Sequence, residues 1–226
     1  MRAIKLVFLG LLLASLALVA VLAAGSHASG SANRGPWHAA GAAGPLLLYL
    51  AAVALSNRAI PSQPSYLAGA FAGGAAGCIQ LVHMSLEAFG SHLGDRPPIT
   101  LAFMGAAFAV WLVAGIRAGL LHRQFRASVV VSVWSAACTM MVAVTYGLVL
   151  SACGFPDPAY VATWPEFPQS GWSDAASFAV ANSFDAVFSN LLAGPLIGLL
   201  IGVVAGTIVA ACRAVTNRQQ APLHSR

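Results

Sequence analysis

Long apolar runs separated by short polar stretches organise this chain. Six of them have the character of membrane spans: residues 4–24, 42–57, 66–89, 98–116, 127–152 and 189–212. About 20 apolar residues cross a bilayer as a helix. Helix is the expected form, because hydrocarbon offers the backbone no hydrogen-bond partner except itself. The predicted fold is therefore all-α. It is a polytopic bundle of six transmembrane helices in one domain over residues 1–226, with an ordered outer loop at 153–188. The second run is the weakest. It is short, with Pro45 near its start and Pro61 just past its end. Proline is tolerated in a first helical turn, whose N–H groups lack intrahelical partners. The first run has a rival reading as a signal peptide, with a basic start and Ser26–Ala28 near a cleavage site. Its apolar stretch is longer than the usual core of such a peptide, so a retained span is expected.

Charge tests this division independently. With the N-terminus inside, Arg2, Lys5, Arg58, Arg117, Arg123, Arg126, Arg213, Arg218 and Arg226 are cytoplasmic, and only Arg34 and Arg96 lie outside. That is the positive-inside pattern. It places both termini in the cytoplasm. Asp95, Asp157, Glu166, Asp174 and Asp185 all fall on the outer side. Removing the second span would scatter this separation. Composition agrees, with 59% hydrophobic and 8% charged residues, against roughly 25% charged in soluble domains. The net charge of +5 flanks apolar runs rather than forming a soluble basic face, which argues against nucleic acid as a partner. The alanine- and glycine-rich composition suggests a bacterial inner (plasma) membrane.

Glycine supplies the clearest motif. Gly69, Gly73 and Gly77 recur every four residues in the third span, and Gly194, Gly198, Gly202 and Gly206 do so in the sixth. Residues four apart share a helix face, so each row is a groove that another helix can enter closely. The third and sixth spans are expected to pack through these faces on each other, on another copy or on another protein.

Polar residues within spans need a reason. Gln80, His83 and Glu87 share one face of the third span, and Asn182, Asp185 and Ser189 share one face leading into the sixth. Ionisable groups at membrane depth usually face a bundle interior or a watery cavity. The two rows are candidates for one outward-facing polar cavity. Residues 153–188 are rich in aromatics and prolines, including Trp164 and Trp172. They are expected to pack over the outer mouth, with Ser173 capping a helix that continues into the last span.

The catalytic options are thin. His83 and Glu87 lack a second close pair to complete a metal site, and no Ser–His–Asp or Cys–His order is recognisable. Cys78, Cys138, Cys153 and Cys212 match no zinc or redox spacing. The first, second and fourth are expected to be small buried hydrophobes, and Cys153 faces outward. No cofactor is identified. Two functions remain. One is a non-catalytic subunit of a larger membrane assembly, docking through the glycine ladders to other subunits or to itself. The other is a transporter or substrate-binding membrane component with an outward-facing site for a small molecule.

Overall fold

A computed structural model describes residues 2–28, 35–55, 63–89 and 97–220. The predicted connections at 58–65 and 90–97 lie largely outside these residues, whereas most of the predicted 25–41 loop is helix, with only 29–34 outside the described residues. The described chain is helical: α1 (Arg2–Ala28), α2 (Gly35–Leu55), α3 (Gln63–Phe89), α4 (Pro97–His122), α5 (Phe125–Ala152), α6 (Pro158–Val161), α7 (Glu166–Ser170) and α8 (Ala175–Gln220). Five of them, α1, α3, α4, α5 and α8, are long and apolar enough to cross a membrane. The protein is a multi-pass helical membrane bundle.

Helix α5 is the axis. Over its apolar length 56% is buried, against 28% or less in the other four. Helices α1, α3, α4 and α8 all pack against it, and α2 closes the ring between α1 and α8. Facing residues fix the directions. Phe8 lies by Trp134 and Ser15 by Thr145, so α1 runs parallel to α5. Gly69 faces Val131 and Gly77 faces Val142, so α3 does too. Trp111 meets Thr139 and Gly119 meets Ser128, so α4 runs the other way. Gly194 meets Met140 and Gly206 meets Phe125, so α8 is also antiparallel to α5. Helix α2 places His38 by Asp185 and Tyr49 by the Leu191 carbonyl, which aligns it with α8.

Two ends result. One carries Arg117, the Arg123–Gln124 turn, Arg126 and Arg213, whose Nη1 donates to the Arg123 carbonyl at 2.6 Å. The other carries the aromatic segment with Glu87, Asp157, Glu166, Asp174 and Asp185. They are called the basic and acidic ends below.

Several expectations change. Helix α2 begins at Gly35, so Pro45 sits inside it rather than in its first turn. Helix α4 runs on to His122, and α8 is a single helix of 46 residues with Pro195 inside. At 1.5 Å per residue that is about 69 Å, far longer than a bilayer core, so α8 rises out of the bundle to meet the aromatic segment. Its cap is Asp174, not Ser173: Asp174 Oδ1 accepts from the Ser177 N–H at 2.8 Å. Of the three cysteines expected to be buried, only Cys138 is; Cys78 and Cys212 are exposed on the outside of the bundle. A thiol is apolar enough to face lipid.

Both glycine ladders dock on α5, and α3 and α8 share no packed interface with each other. A Cβ at Gly73 would lie 2.6 Å from the Ser135 carbonyl oxygen, and one at Gly202 would lie 2.7 Å from the Val129 Cα. These are backbone atoms, which cannot rotate away. Helix α4 adds an unpredicted pair, Gly115 and Gly119, against Ser132 and Ser128. The receiving surface on α5 is a stripe of small polar residues, Ser128, Ser132, Ser135 and Thr139, all fully buried. Thr139 Oγ1 accepts from Trp111 Nε1 at 3.0 Å and lies within donating distance of the Gly73 and Ser135 carbonyls. One hydroxyl thereby joins α3, α4 and α5.

Candidate functional site

Polar side chains gather at the acidic end in two places. The first is the face of α3 that meets α4. His83 is buried, 6% exposed. Its Nε2 lies 3.3 Å from Glu87 Oε1, one turn along α3, and 3.3 Å from Thr100 Oγ1 on α4. Its ring packs 5.1 Å from that of Phe103. Gln80 is half-buried one turn nearer the bilayer centre. The spacing read in the sequence thus does place His83 against Glu87, while Thr100 and Phe103 supply the rest of the pocket around the imidazole.

The second place lies beside α2. Asp185 Oδ1 is 2.7 Å from His38 Nδ1. Ser189 Oγ turns back to the carbonyls of Asp185 and Ala186, and Asn182 is exposed. The two predicted rows therefore do not line one cavity. The row at 182, 185 and 189 falls on the flank of α8 that meets α2, a rotation that spacing alone does not reveal.

A cavity of about 340 Å³ does open at this end, between α3, α5 and α8. Of the six predicted polar residues only Glu87 lines it. The other polar groups are Ser151, Ser183 and Asn190, with Ser151 Oγ and Ser183 Oγ 2.7 Å apart. Val144, Leu148 and Val187 form apolar wall. Sequence reasoning missed Ser183 and Asn190, although their spacing of seven puts them on one helix face.

The roof comes from residues 153–174. Phe155 lies edge-on to Phe89 at the end of α3, with ring centres 4.8 Å apart. Trp164 packs on Tyr160 and on Phe178 of α8. The segment therefore bridges α3 to α8, and Phe155, Tyr160 and Trp164 all face the cavity. Local chemistry holds it in shape. Asp157 caps α6 by accepting from the Ala159 N–H at 2.8 Å, with Pro158 in the first turn. Gly171, at φ 70°, ends α7 in the left-handed conformation. Val161 is fully buried beneath. Trp172 lies away from the cavity, its ring 5.9 Å from that of His38.

The arrangement offers one carboxylate, two serine hydroxyls, a tyrosine hydroxyl, a carboxamide and aromatic faces around an apolar pocket. This is a binding chemistry: apolar walls supply most of the affinity and a few polar groups fix orientation. Among the described residues no three His, Cys, Asp or Glu side chains converge as metal ligands. No protein-family model matches the chain, and comparisons with curated proteins and with solved structures find no match either.

Proposed function

We propose that this protein is a small-molecule transporter or substrate-binding membrane component whose ligand occupies the cavity at the acidic end. The observation that carries this reading is the cavity itself: it is built from three spans and roofed by an ordered aromatic segment. Its volume of about 340 Å³ falls in the range of about 300–1,000 Å³ typical of ligand pockets. The ligand has an apolar or aromatic body with one or two polar groups. The body packs beneath Phe155, Tyr160 and Trp164, and the polar groups reach Ser183, Asn190 and Glu87.

The same reading takes the chain as six-pass in a bacterial inner membrane, with the acidic end outside and both termini in the cytoplasm. Support comes from direction. Helices α1 and α3 both run parallel to α5, so the chain between them returns from the acidic to the basic end. Helix α2 is aligned to make that return. The excess of Arg and Lys at the opposite end sets the orientation.

Native mass spectrometry of protein extracted gently from its own membrane tests the proposal. The wild type is expected to carry a non-lipid small mass, and Ala186→Phe, which fills the cavity from α8, is expected to lose it. The rival reading is a subunit docked to other membrane proteins. The ladders that suggested it are occupied within the chain by α5. Partner chains at fixed ratio, with no small mass in the wild type, would favour that rival and sink the ligand site.

A further inference from the structure

A second concavity lies at the other end of the bundle. Small residues on two neighbouring spans, Ala68 and Ala72 of α3 and Ala109 and Ala114 of α4, leave a furrow of about 700 Å³ on the outer surface. From Ala109 to Arg117 it runs about 12 Å along α4, at 1.5 Å per residue. Its lining is apolar except at the basic end, where Arg117 and His122 form part of the wall.

Arg117 is the charged side chain at the mouth of this furrow. It sits within α4, more than a turn before the helix ends at His122. It is exposed on the helix surface. Among the described residues no carboxylate pairs with it. The five described carboxylates, Glu87, Asp157, Glu166, Asp174 and Asp185, all sit at the acidic end. The basic end adds Arg123 and Arg126 nearby. The furrow therefore joins an apolar trough to an unneutralised positive mouth.

We propose that this furrow seats an anionic phospholipid from the leaflet at the basic end, one acyl chain in the trough and the phosphate on Arg117. The planar guanidinium fork matches a phosphate in two-point hydrogen bonding. The trough suits a chain of methylenes rather than a protein helix. Its walls are two helices already packed on each other, whereas a helix with its side chains is about 10 Å across. The site is separate from the ligand cavity and does not depend on it.

The test is reconstitution in nanodiscs of equimolar phosphatidylglycerol and phosphatidylcholine with identical chains. Lipid retained on release is then read by native mass spectrometry. The wild type is expected to retain phosphatidylglycerol about fivefold over phosphatidylcholine, the effect of one basic residue at a membrane surface. Arg117→Gln is expected to bring the ratio near one, and Arg117→Lys, which keeps the charge but loses the two-point fork, to fall between the two. Ala109→Phe, at an exposed wall position, is expected to lower retention of both lipids with the arginine intact. Equal retention of the two lipids by the wild type overturns the proposal without reference to any variant. An unchanged preference in Arg117→Gln overturns the role of Arg117.

Discussion

Thr139 carries more of the fold than its size suggests. Its hydroxyl is fully buried, accepts from Trp111 and faces the Gly73 carbonyl. Thr139→Val keeps the shape and removes the hydroxyl, which strands the indole N–H in a dry interface. Hydrogen bonds between spans are worth about 0.6 kcal/mol on average and up to about 2, and a stranded buried group adds to the loss. We expect Thr139→Val to lose about 1–2 kcal/mol in reversible unfolding in detergent, and Thr139→Ser to lose clearly less. A double-mutant cycle with Trp111→Phe should show coupling; simple additivity would mean that the indole contact contributes nothing. The sequence did not disclose this residue. Its partners lie 28 and 66 positions away, and a threonine in an apolar run looks merely tolerated. His83 and Glu87 were legible because both members lie on one helix, four residues apart. Thr100 and Phe103 were not, because they arrive from another helix.

At the level of elements, the ladders show what periodicity conveys and what it omits. A four-residue repeat of glycine says that a face is approached closely, but it does not name the approaching helix. Here one helix takes both ladders. The complementary signal is on α5, where Ser128, Ser132, Ser135 and Thr139 recur at spacings of four, three and four. Reading the glycines together with that stripe would have pointed to α5. Neighbouring glycines allow a sharp test. A Cβ at Gly73 would meet the Ser135 carbonyl oxygen at 2.6 Å, whereas one at Gly74 finds nothing within 4 Å. Gly73→Ala is expected to cost about 1–3 kcal/mol through overpacking. Gly74→Ala should be neutral or gain up to about 1 kcal/mol from helix propensity. Thermal unfolding of the two variants side by side measures the difference, and equal midpoints would mean that α3 does not dock on α5 through this face. The α8 cap shows a finer limit. Ser173 and Asp174 are both good caps, and only the geometry of the first turn selects Asp174.

The whole molecule poses a topological constraint. Helices α1 and α3 point the same way along α5, so the 35–55 segment lies on the only stretch of chain that returns between them. Unpaired extended chain does not cross hydrocarbon, so the proposed six-pass reading gives the crossing to α2, which is not among the five helices long and apolar enough to cross. The sequence held half of this argument in its charges: six passes collect the basic residues on one side, five do not. The other half needed the register of Phe8 on Trp134, Ser15 on Thr145 and Gly69 on Val131, which no single-helix pattern contains. Single cysteines in an otherwise cysteine-free chain test it in intact cells with a membrane-impermeant maleimide. Native Cys153, exposed at the acidic end, is expected to label from outside, as is Trp37→Cys on the exposed first turn of α2. Cysteines replacing Arg58 and Gln124 are expected to label only after the membrane is opened. Labelling of the Arg58 position from outside, with Gln124 still protected, would leave α2 on the outer surface. The chain would then need another way back to α3, and the six-pass arrangement would fall with it.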